Sequence, residues 1–154
     1  MASREDMGSW LEGGTSGHQG PSAAARLGLP ESGPGSPAPV GRRLVALVVD
    51  WAVATLIAYL VTSPGSFAEL NPMVTLGVFA LENVLLVSTA GFTIGHRLLR
   101  LQVRALGGPA GTAVGFARGA VRTLLLCLVI PAVVWGPDGR GLHDRGAGTV
   151  IVRR

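Results

Sequence analysis

Two carboxylates in the sequence stand inside long apolar stretches, where ionisable side chains are rare and usually have a specific task. Asp50 is the only charged residue between positions 44 and 62, and Glu82 is the only one between positions 73 and 95. A carboxylate in such surroundings binds a cation or a proton, or forms a fixed ion pair with a neighbouring element. Ion binding and structural ion pairing are therefore the two kinds of chemistry that these positions indicate.

The elements that carry these carboxylates are long enough to cross a bilayer. The runs at 44–62 and 73–95 contain 19 and 23 residues, close to the roughly 20 that a membrane-spanning helix needs. The mean hydropathy of the chain is +0.46, and only 14% of its residues are charged, against about 25% in soluble domains. The sequence therefore predicts an all-α integral membrane protein with two transmembrane helices, and argues against a soluble enzyme.

A third hydrophobic segment, from Thr123 to Trp135, has 13 residues and is too short to span a membrane by itself. One interpretation is a longer helix, about 113–135, that carries Arg118 and Arg122 into the interface and places the C-terminus outside. The other is a re-entrant segment that bends at Pro131 and is shielded by protein. Both interpretations stay open on the sequence alone.

The chain divides near residue 41 into a polar tail and a hydrophobic domain. Residues 1–41 contain 9 Gly, 5 Pro and 6 Ser and carry a net charge of −2, whereas residues 42–154 carry +6. The tail lacks an apolar run long enough to build a core, so we predict that 1–41 is disordered and cytoplasmic and that 42–154 is the transmembrane domain.

Arginine placement predicts the orientation of the spans. Arginines precede the first span and follow the second, whereas the connection between the spans contains no cation; the flanking residues are Arg42, Arg43, Arg97, Arg100 and Arg104. Positive charge is retained in the cytoplasm, so we expect a multi-pass protein of a bacterial inner membrane with a cytoplasmic N-terminus. Anionic lipid headgroups are the expected partners of these cations, and nucleic acid is not.

After the second span, the residues at 101–105 alternate between apolar and polar, which predicts a strand. We expect the chain to return at 112–114 and to form a small hairpin with it.

Several enzyme classes find no support in the sequence. Cys127 is the only cysteine and lies in an apolar run, so no thiol-based redox motif or zinc site is available. The three histidines, His18, His96 and His143, do not have metal-ligand spacing, and no glycine-rich nucleotide-binding motif is present. We therefore expect no catalytic residue, cofactor or metal.

Three ordered motifs, GRRLVALVVD at 41–50, GFTIGHRLL at 91–99 and GLHDRGAGTV at 141–150, resemble those of the RDD family of small bacterial membrane proteins. The resemblance covers about 42–154, and the Gly- and Arg-rich composition is similar to that of actinobacterial proteins. It implies that Arg43, Asp50 and Asp144 are the family's Arg and two Asp. His96 stands where the family usually has Lys. For some members of the family, transport of ions or small molecules has been suggested.

Two functional hypotheses follow. In the first, the chain takes part in ion or small-solute transport as an oligomer, with Asp50 and Glu82 binding the ion, and with His143 and Asp144 at the mouth of the pathway. In the second, it is a non-catalytic scaffold or accessory subunit of another membrane protein, in which Arg43, Asp50 and Asp144 form a structural network.

The partners of the two intramembrane carboxylates also have alternatives. We expect an Arg from another element to pair with Asp50, the candidates being Arg97, Arg118, Arg122 and Arg145. Glu82 either faces Asp50, so that the two carboxylates share a proton or bind a cation, or it is protonated or hydrogen-bonded in an oligomer interface. Arg145 either sets the local field of an ion path or contacts a lipid phosphate.

Overall fold

The computed structural model describes residues 21–63, 65–108, 113–128, 134, 136 and 138–154. Helices predominate in this part of the chain, and one two-stranded sheet accompanies them. In chain order the elements are α1 (Ala23–Leu27), α2 (Val40–Thr62), a 3-10 turn (Phe67–Glu69), α3 (Pro72–Ala90), α4 (Ile94–Leu98), β1 (Leu101–Ala105), α5 (Phe116–Cys127), α6 (Leu142–Gly146) and β2 (Thr149–Arg153).

The long helices α2 and α3 form an antiparallel pair that packs through small side chains. The buried face of α2 has a repeat of four residues, which is the spacing of one helix face; its members are Ala46, Asp50, Ala54 and Ala58. Because three of the four are alanines, α3 approaches closely, and Phe79 packs in a cluster with Ala54. Asp50 is thus directed into the protein and away from the outer face.

Both long helices leave most of their surface uncovered. Only 22% of the most apolar window of α2 is buried, and 28% of that of α3. The exposed positions include large apolar side chains such as Val48, Leu60, Val61, Met73 and Leu81, in a quantity that is unusual for a protein surrounded by water. In the described part of the chain, α2 and α3 are the two helices long and apolar enough to cross a membrane.

The second long helix is shorter than the predicted range 73–95. Gly91 ends α3 by adopting a left-handed conformation, with φ of +76°, which a residue with a side chain rarely adopts. The chain then turns and begins the separate helix α4, whose first turn is capped by the Thr93 side chain. This break places Thr93 and His96 beside α2.

The small sheet corrects the prediction of an all-α fold. The expected strand at 101–105 exists, but it pairs antiparallel with 149–153, with Leu101 opposite Arg153 and Ala105 opposite Thr149. The predicted return at 112–114 does not form a strand at 113–114, and residue 112 lies outside the described residues. Burial explains the choice of partner, since Val150, Ile151 and Val152 are at most 3% exposed in the sheet.

The predicted boundary of the disordered tail also needs correction. Residues 1–20 lie outside the described residues, but residues 21–41 contain α1 and are hydrogen-bonded to the sheet. The backbone of residues 35–38 bonds to β2: the Gly35 N–H donates to the Arg153 carbonyl and the Ala38 N–H to the Ile151 carbonyl, at 2.8 and 2.9 Å. No local pattern predicts these bonds, because they join backbone groups of segments far apart in the chain.

The third hydrophobic segment contains a 12-residue helix, α5 (Phe116–Cys127), in place of a helix over about 113–135. It starts beside the end of α3, where the Gly115 N–H donates to the Ser88 carbonyl, and reaches the depth of Phe79, with which Leu126 packs. Residues 129–133, with Pro131, lie outside the described residues. Further on, α6 packs on α5 and β2 pairs with β1. Residues 113–115 and β2 therefore lie at the same end of the helix pair.

If α2 and α3 cross a membrane, this arrangement predicts the side on which each end of the helix pair lies. In a Cys127→Ser background, single cysteines at Ser32 and Arg154 should react with a membrane-impermeant maleimide from the same side, because residues 35–38 and β2 are hydrogen-bonded to each other. A cysteine at Phe67, in the connection between α2 and α3, should react from the opposite side. Labelling of Arg154→Cys and Phe67→Cys from one side would contradict the topology.

Candidate functional site

Side chains from distant parts of the sequence meet in one buried group, which we call the polar cluster. It lies where α4, α5 and α6 pack against the helix pair, and each member is at most 6% exposed; the members are Arg43, Asp50, Asn83, His96, Arg122, His143 and Asp144. The three residues implied by the family resemblance, Arg43, Asp50 and Asp144, all belong to it. The cluster contains two arginines and two aspartates, so its formal charges can balance.

The Asp50 carboxylate is held by the start of α4. Its Oδ2 accepts a hydrogen bond from the Thr93 hydroxyl at 2.5 Å, and its Oδ1 accepts one from the Gly95 N–H at 2.7 Å. His96 Nδ1 lies 3.8 Å from Oδ2. The prediction that an arginine pairs with Asp50 is wrong: hydroxyl and backbone donors take that place, since α4 brings them within reach.

Two contacts fix α4 in this position. The Thr93 hydroxyl contacts His96 Nδ1 and accepts a bond from the His96 N–H at 3.2 Å. Gly95 lies directly against α2, because a Cβ atom at this position would overlap the Ala46 carbonyl group. Only glycine allows this approach, which brings the Gly95 N–H to Asp50.

Arg122 and Asp144 form a buried ion pair. Arg122 Nε donates to Asp144 Oδ1 at 2.8 Å, with side chains that are 2% and 0% exposed. The Thr149 hydroxyl donates to the same oxygen at 3.0 Å, and His143 Nε2 lies 3.5 Å from Oδ2. The pair joins α5 to α6 and to the start of β2.

Arg43 links the first long helix to the C-terminal elements. Its Nη1 donates to the Gly139 carbonyl at 2.8 Å, and its Nη2 to the Ile151 carbonyl at 3.5 Å. Arg43 thus bonds to backbone oxygens before α6 and within β2. These contacts hold the beginning of α2 against the sheet.

A pocket opens into the polar cluster. It has about 30 Å³ of space for water-sized molecules and is partly open to the outside. Its polar lining combines six members of the cluster, which are Arg43, Asp50, Asn83, His96, Arg122 and His143. The pocket gives these groups a common space from which water or a proton can reach them.

Glu82 and Arg145, two candidate site residues from the sequence, do not line this pocket. Both carboxylate oxygens of Glu82 are buried, and neither bonds to Asp50 or to another of the described residues. The interpretation in which Glu82 and Asp50 share a proton directly therefore finds no contact to support it. The Arg145 side chain is 44% exposed, with Nε 4.0 Å from Asp138 Oδ2, so it lies near the surface.

The surroundings of His96 and Asp144 shift their pKa values downward. Burial, with a further contribution from the Arg122 cation, lowers the pKa of His96 to about 3, which leaves the ring neutral. For Asp144, burial is the largest influence and opposes ionisation, but Arg122, His143 and Arg43 together outweigh it and hold the pKa at about 2. Asp144 is therefore the charged partner that Arg122 requires.

Some members of the site were outside the sequence prediction. Thr93 was not a candidate, although a hydroxyl between two glycines at the end of an apolar run is a usable signal for a capped break in a helix. Arg122 was considered as a partner for Asp50, whereas its partner is Asp144. Across the described ranges, no group of three His, Cys, Asp or Glu side chains is arranged to hold a metal ion.

Comparison of the chain with protein-family models, with curated proteins and with solved structures found no match.

The buried ion pair makes a prediction about stability. Asp144→Asn should lower the free energy of unfolding by about 3 kcal/mol or more, because Arg122 is left as an unpaired buried charge. Asp138→Asn, which weakens an ion pair nearer the surface with Arg140, should cost about 1 kcal/mol or less. Denaturant titration of the purified protein in detergent measures both. A double change, Arg122→Met with Asp144→Leu, should recover most of the loss, and equal effects of the two Asp→Asn changes would contradict the assignment.

The lowered pKa of His96 predicts an acid-sensitive fold. The unfolded chain binds a proton at His96 near pH 6.5 and the folded chain only near pH 3, so the free energy of unfolding falls as the pH drops through this window. Asp144 adds to the loss only below its ordinary pKa of 3.8. Unfolding in detergent at about pH 7.5 and about pH 4.5 measures the effect. His96→Gln should show a smaller loss, and an undiminished loss in this variant would rule out His96 as its source.

Proposed function

We propose that the chain is a multi-pass protein of a bacterial inner membrane, similar to the RDD family, with its N-terminus in the cytoplasm. The uncovered apolar faces of α2 and α3 support the membrane location. The flanking arginines support the orientation, because they stand at the end where α2 begins and α3 finishes. The meeting of Arg43, Asp50 and Asp144 in one cluster supports the resemblance.

Within that setting, we propose a role in transport of an ion or small solute, with Asp50 as the ion-binding group. The observation that carries the proposal is the placement of the Asp50 carboxylate on a membrane-spanning helix and in the lining of a pocket. A carboxylate at this depth is costly unless it binds a cation, a proton or fixed donors. Two long helices enclose little pathway alone, so the transporting unit in this proposal is an oligomer or a complex with another membrane protein.

A second candidate function, a non-catalytic scaffold or accessory subunit, is favoured by a different observation. Arg122 and Asp144 are paired with each other, and Arg43 is bonded to two backbone carbonyls. Such fixed contacts support a structural role for these residues. The two candidates therefore differ mainly in what they assign to Asp50.

Ion flux into proteoliposomes distinguishes the two candidates. Wild-type protein should carry protons or sodium ions, and Asp50→Asn should reduce the flux to that of empty liposomes, because the amide has no charge to bind the ion. Glu82→Gln is the matched control: it makes the same chemical change on the other span, away from the pocket, and should retain the flux.

Equal incorporation and folding of the three proteins, checked by size-exclusion chromatography, are needed for the comparison. An absence of flux in folded wild-type protein would contradict transport by the chain itself and favour the scaffold. In that case Asp50→Asn should still lower the stability, since the amide offers Thr93 and Gly95 one acceptor oxygen in place of two.

A further inference from the structure

A continuous line of hydrogen-bonding groups leads from the pocket to the Asp50 carboxylate. Thr93 Oγ1 lies between Asp50 Oδ2 and His96 Nδ1 and contacts both. His96 in turn lines the pocket. All three side chains are buried, at no more than 5% exposed, so water competes little for these contacts.

The number of donors in this line fixes where the hydrogen atoms are. The Thr93 hydroxyl has one hydrogen, which it donates to Asp50 at 2.5 Å. Thr93 Oγ1 must then accept from its other neighbours, and it does accept from the His96 N–H. The contact with Nδ1 therefore requires that the neutral His96 ring carries its hydrogen on Nδ1, which leaves Nε2 as the ring acceptor.

We propose that Thr93 and His96 form a proton relay through which protons move between the pocket and the Asp50 carboxylate. The inference rests on the proposed transport function and assigns the proton as the ion that Asp50 binds. Asp50 is the proton-binding group, Thr93 and His96 carry the proton to it, and Gly95 holds the carboxylate in line.

The transfer balances without a charged histidine. A hydronium ion in the pocket gives a proton to His96 Nε2 and becomes water, the Nδ1 proton moves to Thr93 Oγ1, and the Thr93 hydroxyl proton moves to Asp50 Oδ2. Asp50 becomes a neutral carboxylic acid, Thr93 is unchanged, and His96 becomes its other neutral tautomer. Release of the proton is the reverse sequence.

The charges around His96 agree with a relay that avoids the imidazolium form. Arg43 from α2 and Arg122 from α5 line the same pocket, and His143 from α6 lies there too. Asp50 and Asp144 are the opposing negative charges. The two guanidinium groups oppose a third positive charge, and burial has the same effect, so a transfer by tautomer exchange is more favourable than one through a charged ring.

Substitution at Thr93 tests the relay. Thr93→Val keeps the shape of the side chain and removes the hydroxyl, so proton flux in proteoliposomes should fall by about tenfold or more. Thr93→Ser keeps the hydroxyl and should retain most of the flux. His96→Gln, which cannot exchange tautomers, should lose the flux as Thr93→Val does.

A measurement on the folded wild-type protein provides a second test that needs no variant to transport ions. The nitrogen-15 NMR spectrum of the His96 ring, assigned by the loss of its signals in His96→Gln, should show a neutral ring protonated on Nδ1. A ring protonated on Nε2 while Asp50 is ionised would overturn the relay, because Nδ1 would then have no hydrogen to replace the one that the Thr93 hydroxyl gives to Asp50.

The outcomes separate this inference from the function on which it rests. Flux that needs Asp50 but persists in Thr93→Val overturns the relay and leaves ion transport in place. A folded wild-type protein without any flux overturns both. Loss of proton flux in Thr93→Val with recovery in Thr93→Ser, together with the Nδ1 tautomer, supports the relay.

Discussion

The packing of α4, α5 and α6 against the helix pair depends on the ion pair between Arg122 and Asp144. The Arg122 guanidinium is 2% exposed and would be costly without its ion pair to Asp144, so the pair draws α5 and α6 together. Once they do, the chain enters β2 directly, and β2 supplies the partner for β1 and for the backbone of residues 35–38. Arg43 then bonds to the carbonyl of Ile151 within that strand. One pair of charges thus organises the ends of several elements.

The polar cluster separates the three motif residues into two physical situations. Arg43 on α2 bonds to the carbonyls of Gly139 and Ile151, and Asp144 on α6 pairs with Arg122 on α5. Both residues therefore hold separate elements together. Asp50 is also hydrogen-bonded, but its donors are a hydroxyl and a backbone N–H, which bring no full positive charge to it. A carboxylate satisfied by dipoles alone can accept a proton without leaving an arginine unpaired, which the Asp144 carboxylate cannot do.

The parts of the fold that depend on composition were predictable, and those that depend on distant contacts were not. Apolar run length gave α2 and most of α3, and the cost of a buried charge singled out Asp50. The donors to Asp50 stand 43 and 45 residues away in the sequence, so no local pattern identifies them. The strand at 101–105 was predictable from its alternation, but the glycine-rich turn after it favoured a nearby partner. The strand pairs with the distant segment 149–153, because this pairing buries Val150, Ile151 and Val152.

The backbone contact between Gly95 and Ala46 also limits how the molecule can move. With no side chain between them, the backbone of α4 lies against that of α2, and a side chain at position 95 would overlap the Ala46 carbonyl group. Sliding of helices during a conformational change needs side chains that can repack. Any cycle of opening and closing would therefore carry α4 with α2 as one rigid body, and the displacement would occur at the surfaces that this body shares with α5 and α6.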